Sequence, residues 1–159
     1  MSKENNFPDV GKAAPAFTLE SSKGGKVRLS SLKGQPVVVY FYPKDNTPGC
    51  TVEAQEFQAA LGAFRKAGAA VLGISPDSVE SHCKFADKQG LHFPLLVDTD
   101  HVVCEKYGVW VEKNMYGRKF WGVQRATLLI NSSGKVAQVW PKVKPKGHAA
   151  QVLEAVKAL

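Results

Sequence analysis

The densest run of apolar residues in the chain is Val37–Phe41, which is rich in β-branched and aromatic side chains. Such a short apolar run predicts a buried strand, and Pro43 ends it because proline cannot donate a hydrogen bond to a central ladder. A polar loop follows, and apolar residues then recur with helical spacing at Ala54, Phe57, Leu61 and Phe64. The pattern therefore predicts a strand, a loop and a helix in succession, with Gly68 ending the helix.

The rest of the chain alternates between strand and helix patterns. A glycine-containing turn joins short strands at 17–19 and 27–29, and the helical crossover makes a strand at 69–74 parallel to Val37–Phe41. The remaining predictions are a loose leader at 1–12, a helical turn at 30–36, strands at 93–97, 126–130 and 136–140, helices at 78–90, 101–107 and 148–158, and an irregular or hairpin-like segment at 109–119. We therefore expect one α/β domain spanning residues 1–159, with a mixed central sheet flanked by helices.

Cys50 continues the apolar stripe of the first helix backward into its first turn. Backbone N–H groups are unpaired at a helix N-terminus, and the helix dipole places positive charge there. Both features favour a thiolate over a thiol, so we expect Cys50 to ionise more readily than a free cysteine. The strand, the loop and the helix together present one reactive sulfur.

Pro43, Thr47 and Cys50 form the pattern Pro-x-x-x-Thr-x-x-Cys, and Arg125 ends a later Gly-Val-x-Arg segment. These motifs resemble the active-site signature of peroxiredoxins, and the subfamily most similar to the segment FYPKDNTPGCTVEAQEF is the bacterioferritin-comigratory, or Q-type, subfamily. The similarity extends from about Val10 to the C-terminus. It implies a thioredoxin-like fold and a thiol-dependent peroxidase that reduces hydrogen peroxide and organic hydroperoxides. It also implies thioredoxin or a similar thiol reductant as electron donor, and a monomer.

The resemblance assigns roles to the residues around the reactive sulfur. Cys50 is the candidate peroxidatic nucleophile, whose thiolate attacks the peroxide O–O bond and becomes a sulfenic acid. Thr47 is expected to hydrogen-bond the sulfur or the incoming peroxide, and Arg125 to place positive charge and N–H donors beside both. Pro43 is expected to shield the thiolate from bulk water. Glu53 is not part of the family motif, but because it lies in the first helical turn we expect it to hold the Arg125 guanidinium through a charged hydrogen bond.

A second thiol that resolves the sulfenic acid into a disulfide is less clearly marked. Many Q-type members carry it five residues after the peroxidatic cysteine, where this chain has Gln55. Other members carry it in the next helix, and Cys83 lies there, about one turn before the expected position; we expect Cys83 to be the resolving cysteine. In one alternative Cys83 packs in the core on a stripe with Val79 and Ala86. In another, either Cys104 or an external thiol resolves the sulfenic acid.

Charge and cysteine content narrow the function further. The formal net charge is +7, and the densest lysine cluster is Lys142, Lys144 and Lys146. It lacks stacking aromatics and a nucleic-acid-binding motif, so we expect a solvated lysine surface and no nucleic-acid partner. No apolar run is long enough to cross a membrane, and residues 1–10 lack the apolar region of a secretory signal. Together with only three cysteines, this predicts a cytoplasmic location.

The sequence contains no pattern for a cofactor. The four histidines have no metal-ligand spacing with one another or with the cysteines, and there is no glycine-rich phosphate loop. A rival function is a catalytically silent interaction protein of the same fold that binds acidic partners through its lysines. The combination of Pro43, Thr47, Cys50 and Arg125 favours the peroxidase, because a binding protein has no need of that set.

Overall fold

A computed structural model describes residues 6–159 of the chain. Its elements in chain order are β1 (Thr18–Glu20), β2 (Lys26–Arg28), a 3-10 helix (Leu29–Leu32), β3 (Val37–Phe41), α1 (Pro48–Lys66), β4 (Ala70–Ser75), α2 (Val79–Gln89), β5 (Leu95–Val97), α3 (Val102–Lys106), β6 (Trp110–Met115), β7 (Arg118–Val123), β8 (Ala126–Ile130), β9 (Val136–Trp140) and α4 (His148–Lys157). Five strands form one sheet in the order β5-β4-β3-β8-β9, and β1-β2 and β6-β7 form separate hairpins. The predicted α/β class is confirmed.

The strand β3 occupies the middle of the sheet because its side chains tolerate burial on both faces. All five of its residues are buried, and it pairs in parallel with β4 and antiparallel with β8. Such continuous burial suits β-branched and aromatic side chains. The pairing of β3 with β8 sets Phe41 opposite Ala126. The loop that leaves β3 and the residue that precedes β8, Arg125, therefore lie at the same end of the sheet.

Two apolar clusters cover the two faces of the sheet. The residues of β3 divide between them, with Val38 and Tyr40 in one cluster and Val37, Val39 and Phe41 in the other, as the alternation of side chains along a strand requires. The first cluster includes residues of α1, α4 and α2, and the second includes residues of α3 and the segment around β1 and β2. Helices therefore flank the mixed sheet on both sides, as predicted.

The segment 109–119, predicted to be irregular or hairpin-like, belongs to the hairpin of β6 and β7. This hairpin pairs with no other strand among the described residues. Its large apolar side chains are exposed at Met115, Tyr116, Phe120 and Trp121. Because the hairpin does not bury these side chains on one face, apolar and polar residues do not alternate along it. The sequence pattern therefore gives no clear prediction for this segment.

The predicted loose leader, residues 1–12, falls partly outside the described residues, which begin at 6. Its last part is not loose. The backbone N–H of Gly11 donates to Val136 O at 2.8 Å, and that of Val136 donates to Lys12 O at 2.9 Å. These two hydrogen bonds fix residues 11–12 against β9.

The helix α2 begins and ends at the predicted residues but buries a different face. Ser78 is the N-cap and accepts a hydrogen bond from Ser81 N, and Gly90 ends the helix in the left-handed conformation at φ 66°. The buried residues of α2 are His82 and Phe85, whereas Cys83 is half-buried. The alternative that places Cys83 in the core is therefore wrong.

No helix among residues 6–159 is long and apolar enough to cross a membrane. The expected absence of a secretory signal concerns residues 1–10, of which 1–5 lie outside the described residues. The interpretation of residues 1–159 as one domain stays a prediction.

Candidate active site

The reactive-cysteine segment folds as the sequence predicts. Thr47 is the N-cap of α1 with an extended backbone, and Pro48 follows at the start of the helix, where its missing N–H leaves no hydrogen bond unmade. Cys50 lies in the first turn, with 2% of its surface exposed. Its burial follows from the helical spacing that links it to Ala54 and Phe57, which are also buried. The thiol therefore lies at a helix N-terminus and away from bulk water.

Arg125 joins the thiol to an acidic side chain, as predicted. Its Nη2 donates to Cys50 Sγ at 3.3 Å, and its Nη1 donates to Glu53 Oε1 at 2.6 Å. The Glu53 side chain is 1% exposed and the Arg125 side chain 15% exposed. A guanidinium is planar and carries its N–H donors in a fixed fork, so holding one nitrogen on Glu53 sets the direction of the other. Glu53 therefore aims Arg125 at the sulfur.

Burial disfavours the charged form of both Glu53 and Arg125, but its net effect on the pKa differs between them. Burial raises the pKa of Glu53 to about 7, although Arg125 lowers it. Burial alone lowers the pKa of Arg125, but the negative charges of Glu53 and Cys50 outweigh it and raise that pKa overall. The second carboxyl oxygen of Glu53, Oε2, has no hydrogen-bond partner among the described residues. The guanidinium is thus permanently charged, whereas the Glu53 carboxyl has a pKa close to neutrality.

Gly49 is a site residue that the sequence analysis missed. A Cβ placed on Gly49 would lie 3.1 Å from Arg125 Nη2 and 3.3 Å from Pro145 Cγ, both closer than ordinary van der Waals contact. The absence of a side chain therefore lets the guanidinium and Pro145 close over the first turn of α1. The glycine is visible in the Thr-Pro-Gly-Cys segment of the sequence. The contacts that require a glycine, however, are made by Arg125 and Pro145, which lie far along the chain.

Thr47 and Pro43 lie beside the thiol in sequence, and their roles stay predictions. The Thr47 hydroxyl donates to Lys44 O at 2.9 Å. It therefore does not donate to Cys50 Sγ in this conformation, contrary to one of the two expected contacts. The second expected contact, with a bound peroxide, is still open to it, because the lone pairs of the hydroxyl oxygen can accept a hydrogen bond from the peroxide. Pro43 is half-buried in the loop that follows β3.

Cys83 lies in different surroundings from Cys50. Its Sγ donates to Ser22 O at 3.4 Å. Ser22 belongs to the turn between β1 and β2 and is itself fixed to β5, because its N–H donates to Leu95 O and its hydroxyl accepts from Leu95 N. All three cysteines of the chain are free. Cys83 is therefore a free, half-buried thiol held by the N-terminal hairpin.

Cys104 is a buried thiol with no sign of reactivity. Burial raises its pKa far above the ordinary value, and the nearby Asp98 charge raises it further. The Asp98 carboxylate accepts hydrogen bonds from Val103 N at 3.1 Å and Cys104 N at 2.8 Å, so it satisfies two backbone N–H groups in the first turn of α3. A thiol that stays protonated is a poor nucleophile, which argues against Cys104 as the resolving thiol.

Lys113 of β6 is a second cation near the thiol that the sequence pattern did not reveal. Its side chain runs along Gly122, where a Cβ would lie 3.6 Å from Lys113 Cδ. Burial and the Arg125 charge lower the pKa of Lys113, and the Cys50 charge opposes them. Lys113 therefore adds positive charge to the side of the site formed by the β6-β7 hairpin.

Comparison with known proteins gives one consistent family. Residues 10–139 match the AhpC/TSA family. The putative peroxiredoxin bcp of Coxiella burnetii is 51% identical over 145 residues, which cover 91% of this chain and 96% of the relative. The peroxiredoxin Bcp of Bacillus subtilis is 43% identical over 149 residues, which cover 94% of this chain and 95% of the relative.

The solved structures agree with the sequence relatives. The bacterioferritin comigratory protein of Xanthomonas campestris, solved as trapped intermediate and ligand complexes that bear on its alkyl peroxide reduction activity, has a TM-score of 0.88 and 47% identity. The match covers 94% of this chain and 98% of that one. The chain therefore belongs to the AhpC/TSA family, as a peroxiredoxin of the bacterioferritin-comigratory group. It has the predicted thioredoxin-like fold and is a thiol-dependent peroxidase.

Proposed function

We propose that Cys50 is the peroxidatic cysteine and that Arg125, aimed by Glu53, is the residue that activates both the thiolate and the peroxide. The observation that carries this proposal is the 3.3 Å contact between Arg125 Nη2 and Cys50 Sγ, with Nη1 held by Glu53. A bound peroxide beside the sulfur would meet the same guanidinium and the Thr47 hydroxyl. Donors fixed in a site that excludes water stabilise charge that develops during the reaction.

The first chemical step is displacement at oxygen. The Cys50 thiolate attacks one peroxide oxygen, an S–O bond forms and the O–O bond breaks. The leaving oxygen takes up the peroxide proton and departs as water or an alcohol. Cys50 is left as a sulfenate, which takes a proton from solvent to become the sulfenic acid. The negative charge passes from sulfur to the leaving oxygen during this step. A fixed cation such as Arg125 can interact with both atoms, which is why its position beside the sulfur supports the assignment.

The second step is disulfide formation with Cys83. The Cys83 thiol loses its proton and its sulfur attacks the Cys50 sulfur of the sulfenic acid. The S–S bond forms as the S–O bond breaks, and the hydroxyl group leaves as water with the proton that Cys83 released. A disulfide needs Cα atoms within roughly 4.4–6.8 Å, whereas packed helices lie roughly 8–10 Å apart axis to axis. Cys50 is buried and accepts a hydrogen bond from Arg125, and the Cys83 thiol donates a hydrogen bond to Ser22 O. The first turn of α1, the segment around Cys83, or both must unwind for the bridge to form.

The remaining parts of the proposal concern partners and location. Hydrogen peroxide and organic hydroperoxides are the proposed substrates, and the alkyl peroxide reduction activity of the Xanthomonas campestris relative supports the organic class. A dithiol protein such as thioredoxin is the proposed reductant, because an intramolecular disulfide is reduced by thiol–disulfide exchange. We further propose a monomer, since both thiols come from one chain, and a cytoplasmic location, where free thiols persist.

The proposal is tested by the intact mass of the reduced protein after one equivalent of hydrogen peroxide, without added reductant. Loss of two hydrogens is the expected result and indicates an intramolecular disulfide. Gain of one oxygen would retain Cys50 as the peroxidatic residue and remove Cys83 as its resolving partner. An unchanged mass would contradict the proposed function.

A further inference from the structure

Asp45 lies two residues before Thr47 and belongs to a buried polar cluster that the peroxidase mechanism does not use. Its Oδ1 accepts from the Tyr42 hydroxyl at 2.6 Å, and its Oδ2 accepts from Ser81 Oγ at 2.7 Å and lies 2.7 Å from His82 Nδ1. These hydrogen bonds lower the pKa of Asp45 against the opposing effect of burial. We call these four residues the Asp45–His82 cluster. It joins the catalytic loop to α2.

The His82 ring is fully buried, and an acceptor faces each of its nitrogens. Nδ1 faces the Asp45 carboxylate, and Nε2 lies 2.8 Å from Leu96 O. A carbonyl oxygen and a carboxylate oxygen are both acceptors, so the two contacts hold the ring at both of its nitrogens. Asp77, with Asp45 and His82, also offers potential metal-ligand atoms within 4.8 Å of one another. The His82 Nδ1 atom, however, already lies within hydrogen-bond distance of Asp45 Oδ2, at 2.7 Å.

Further contacts hold the same loop against α2. The backbone N–H of Asp45 donates to Asp77 Oδ2 at 2.8 Å, and Lys88 Nζ donates to Asn46 Oδ1 at 3.4 Å. Asn46 adopts a left-handed backbone at φ 61°, a conformation that needs support from its surroundings. The loop that leads into Thr47 and Cys50 is therefore shaped by side chains of α2 and of the residues just before it.

We propose that His82 is a positioning residue: through Asp45 it holds the catalytic loop in the form in which Cys50 reacts with peroxide. The inference rests on the proposed function. His82 and Cys83 are consecutive residues of α2, so a movement of the helix backbone that frees Cys83 from Ser22 O also moves His82. The contact between His82 and Asp45 therefore favours the peroxide step and opposes disulfide formation. Two other charged side chains contact the same loop. Asp77 accepts a hydrogen bond from the backbone N–H of Asp45, and Lys88 donates one to Asn46 Oδ1.

The first test replaces Asp45 in the full chain with asparagine, which keeps the shape of the side chain and removes its charge. Stopped-flow tryptophan fluorescence measures the second-order reaction with hydrogen peroxide and the first-order formation of the disulfide as separate phases. We expect the peroxide step to slow about tenfold and the disulfide step to accelerate about tenfold, because a charge-assisted hydrogen bond is lost. Asp87→Asn, an exposed position on the same helix, is the matched control and should change neither rate.

Equal slowing of both steps in Asp45→Asn, or no change in either, would overturn the proposal. A purely structural role predicts lower stability without opposite effects on the two rates. If the wild-type chain forms no disulfide, the Cys83 assignment fails, while the peroxide rate of Asp45→Asn still tests the role of His82.

The second test uses the unaltered chain and therefore does not depend on the folding of a variant. Amide hydrogen exchange of α2 and of the catalytic loop is followed by mass spectrometry in the reduced and in the peroxide-oxidised protein. In the reduced protein we expect slow exchange at His82 and Asp45, because the two side chains hold each other. In the oxidised protein we expect faster exchange at both residues, because that contact is broken. Fast exchange at His82 in the reduced protein, or equally slow exchange in both forms, would overturn the proposal.

Discussion

Arg125 Nη2 lies 3.3 Å from Cys50 Sγ, although 75 positions separate the two residues in the chain. The central sheet explains the contact. Phe41 pairs with Ala126 across β3 and β8, so the residue before β8 and the loop after β3 meet at one edge of the sheet. The fold thus brings a fixed cation to a thiol at a helix N-terminus, which is the arrangement on which the proposed peroxide chemistry depends.

Arg125→Ala removes the donor that faces the sulfur. We expect the rate constant for hydrogen peroxide to fall about a hundredfold, because a fixed donor no longer meets the developing charge. The pH midpoint of iodoacetamide alkylation at Cys50 should rise, since a neighbouring positive charge no longer favours the thiolate. Arg28→Ala, at an exposed position on β2, should leave both quantities unchanged. A wild-type alkylation profile in Arg125→Ala would show that the guanidinium does not act on the thiol.

Gly49→Ala tests the close packing over the first turn of α1. The added Cβ would lie 3.1 Å from Arg125 Nη2, so the guanidinium must shift by a few tenths of an ångström. We expect the peroxide rate constant to fall roughly tenfold, because small displacements of aligned groups have large effects on rate.

The same helix offers a matched control for this change. Beyond its chain neighbours and the backbone of its own helix, no atom of residues 6–159 lies within 4 Å of a Cβ at Gly62, so Gly62→Ala should keep the wild-type rate and raise the free energy of unfolding by roughly 0.5–1 kcal/mol. If Gly49→Ala also keeps the wild-type rate, the close packing does not position Arg125.

Glu53→Gln tests the buried carboxyl. Burial raises the pKa of Glu53 from 4.5 to about 7 despite Arg125, so between these pH values the folded chain holds a proton that the unfolded chain releases. The free energy of unfolding of the wild type should therefore fall, relative to Glu53→Gln, as pH rises through this interval. The change should be at most roughly 3 kcal/mol.

Urea unfolding of both proteins at several pH values measures the difference. Glu154→Gln provides the control, because the Glu154 side chain is 76% exposed. A stability difference between wild type and Glu53→Gln that is independent of pH would contradict the raised pKa.

Cys83→Ser and Cys104→Ser distinguish the two candidate resolving thiols. After one equivalent of peroxide, Cys83→Ser should gain one oxygen in place of forming a disulfide, and its turnover with thioredoxin should drop. Cys104→Ser should form the disulfide and turn over normally, with a lower free energy of unfolding by roughly 1–3 kcal/mol, because a hydroxyl replaces a buried thiol. The opposite pattern would make Cys104 the resolving residue, and normal turnover in both variants would indicate an external thiol.

The sequence predicted the elements whose pattern is local. Val37–Phe41 reads as a buried strand from five consecutive residues, and Cys50 falls at the start of a helix because its stripe continues through Phe64. The family motif then placed Arg125 beside the thiol, although no local pattern joins residues so far apart. The position of Glu53 in the first helical turn predicted its contact with that arginine. The mixed sheet and its flanking helices followed from the order of these elements.

Tertiary contacts outside the family motif were not predicted. The close approach of Pro145 to Gly49 joins residues from different parts of the chain. In α2 the apolar stripe indicated Val79, Cys83 and Ala86, whereas the buried residues are His82 and Phe85. A histidine is buried there because Asp45 and Leu96 O satisfy both of its nitrogens, and an apolar pattern contains no sign of such partners.

The central claim, that Cys50 is the residue that reacts with peroxide, is tested most directly by Cys50→Ser. Serine keeps the approximate size of the side chain and removes the sulfur nucleophile, while Cys83 and Cys104 remain. The measurement is hydrogen peroxide consumption with a thiol donor in excess, after circular dichroism has shown that the variant is folded. We predict no consumption above that of the donor alone. Consumption close to that of the wild type would contradict the assignment of Cys50 and the account of the site built on it.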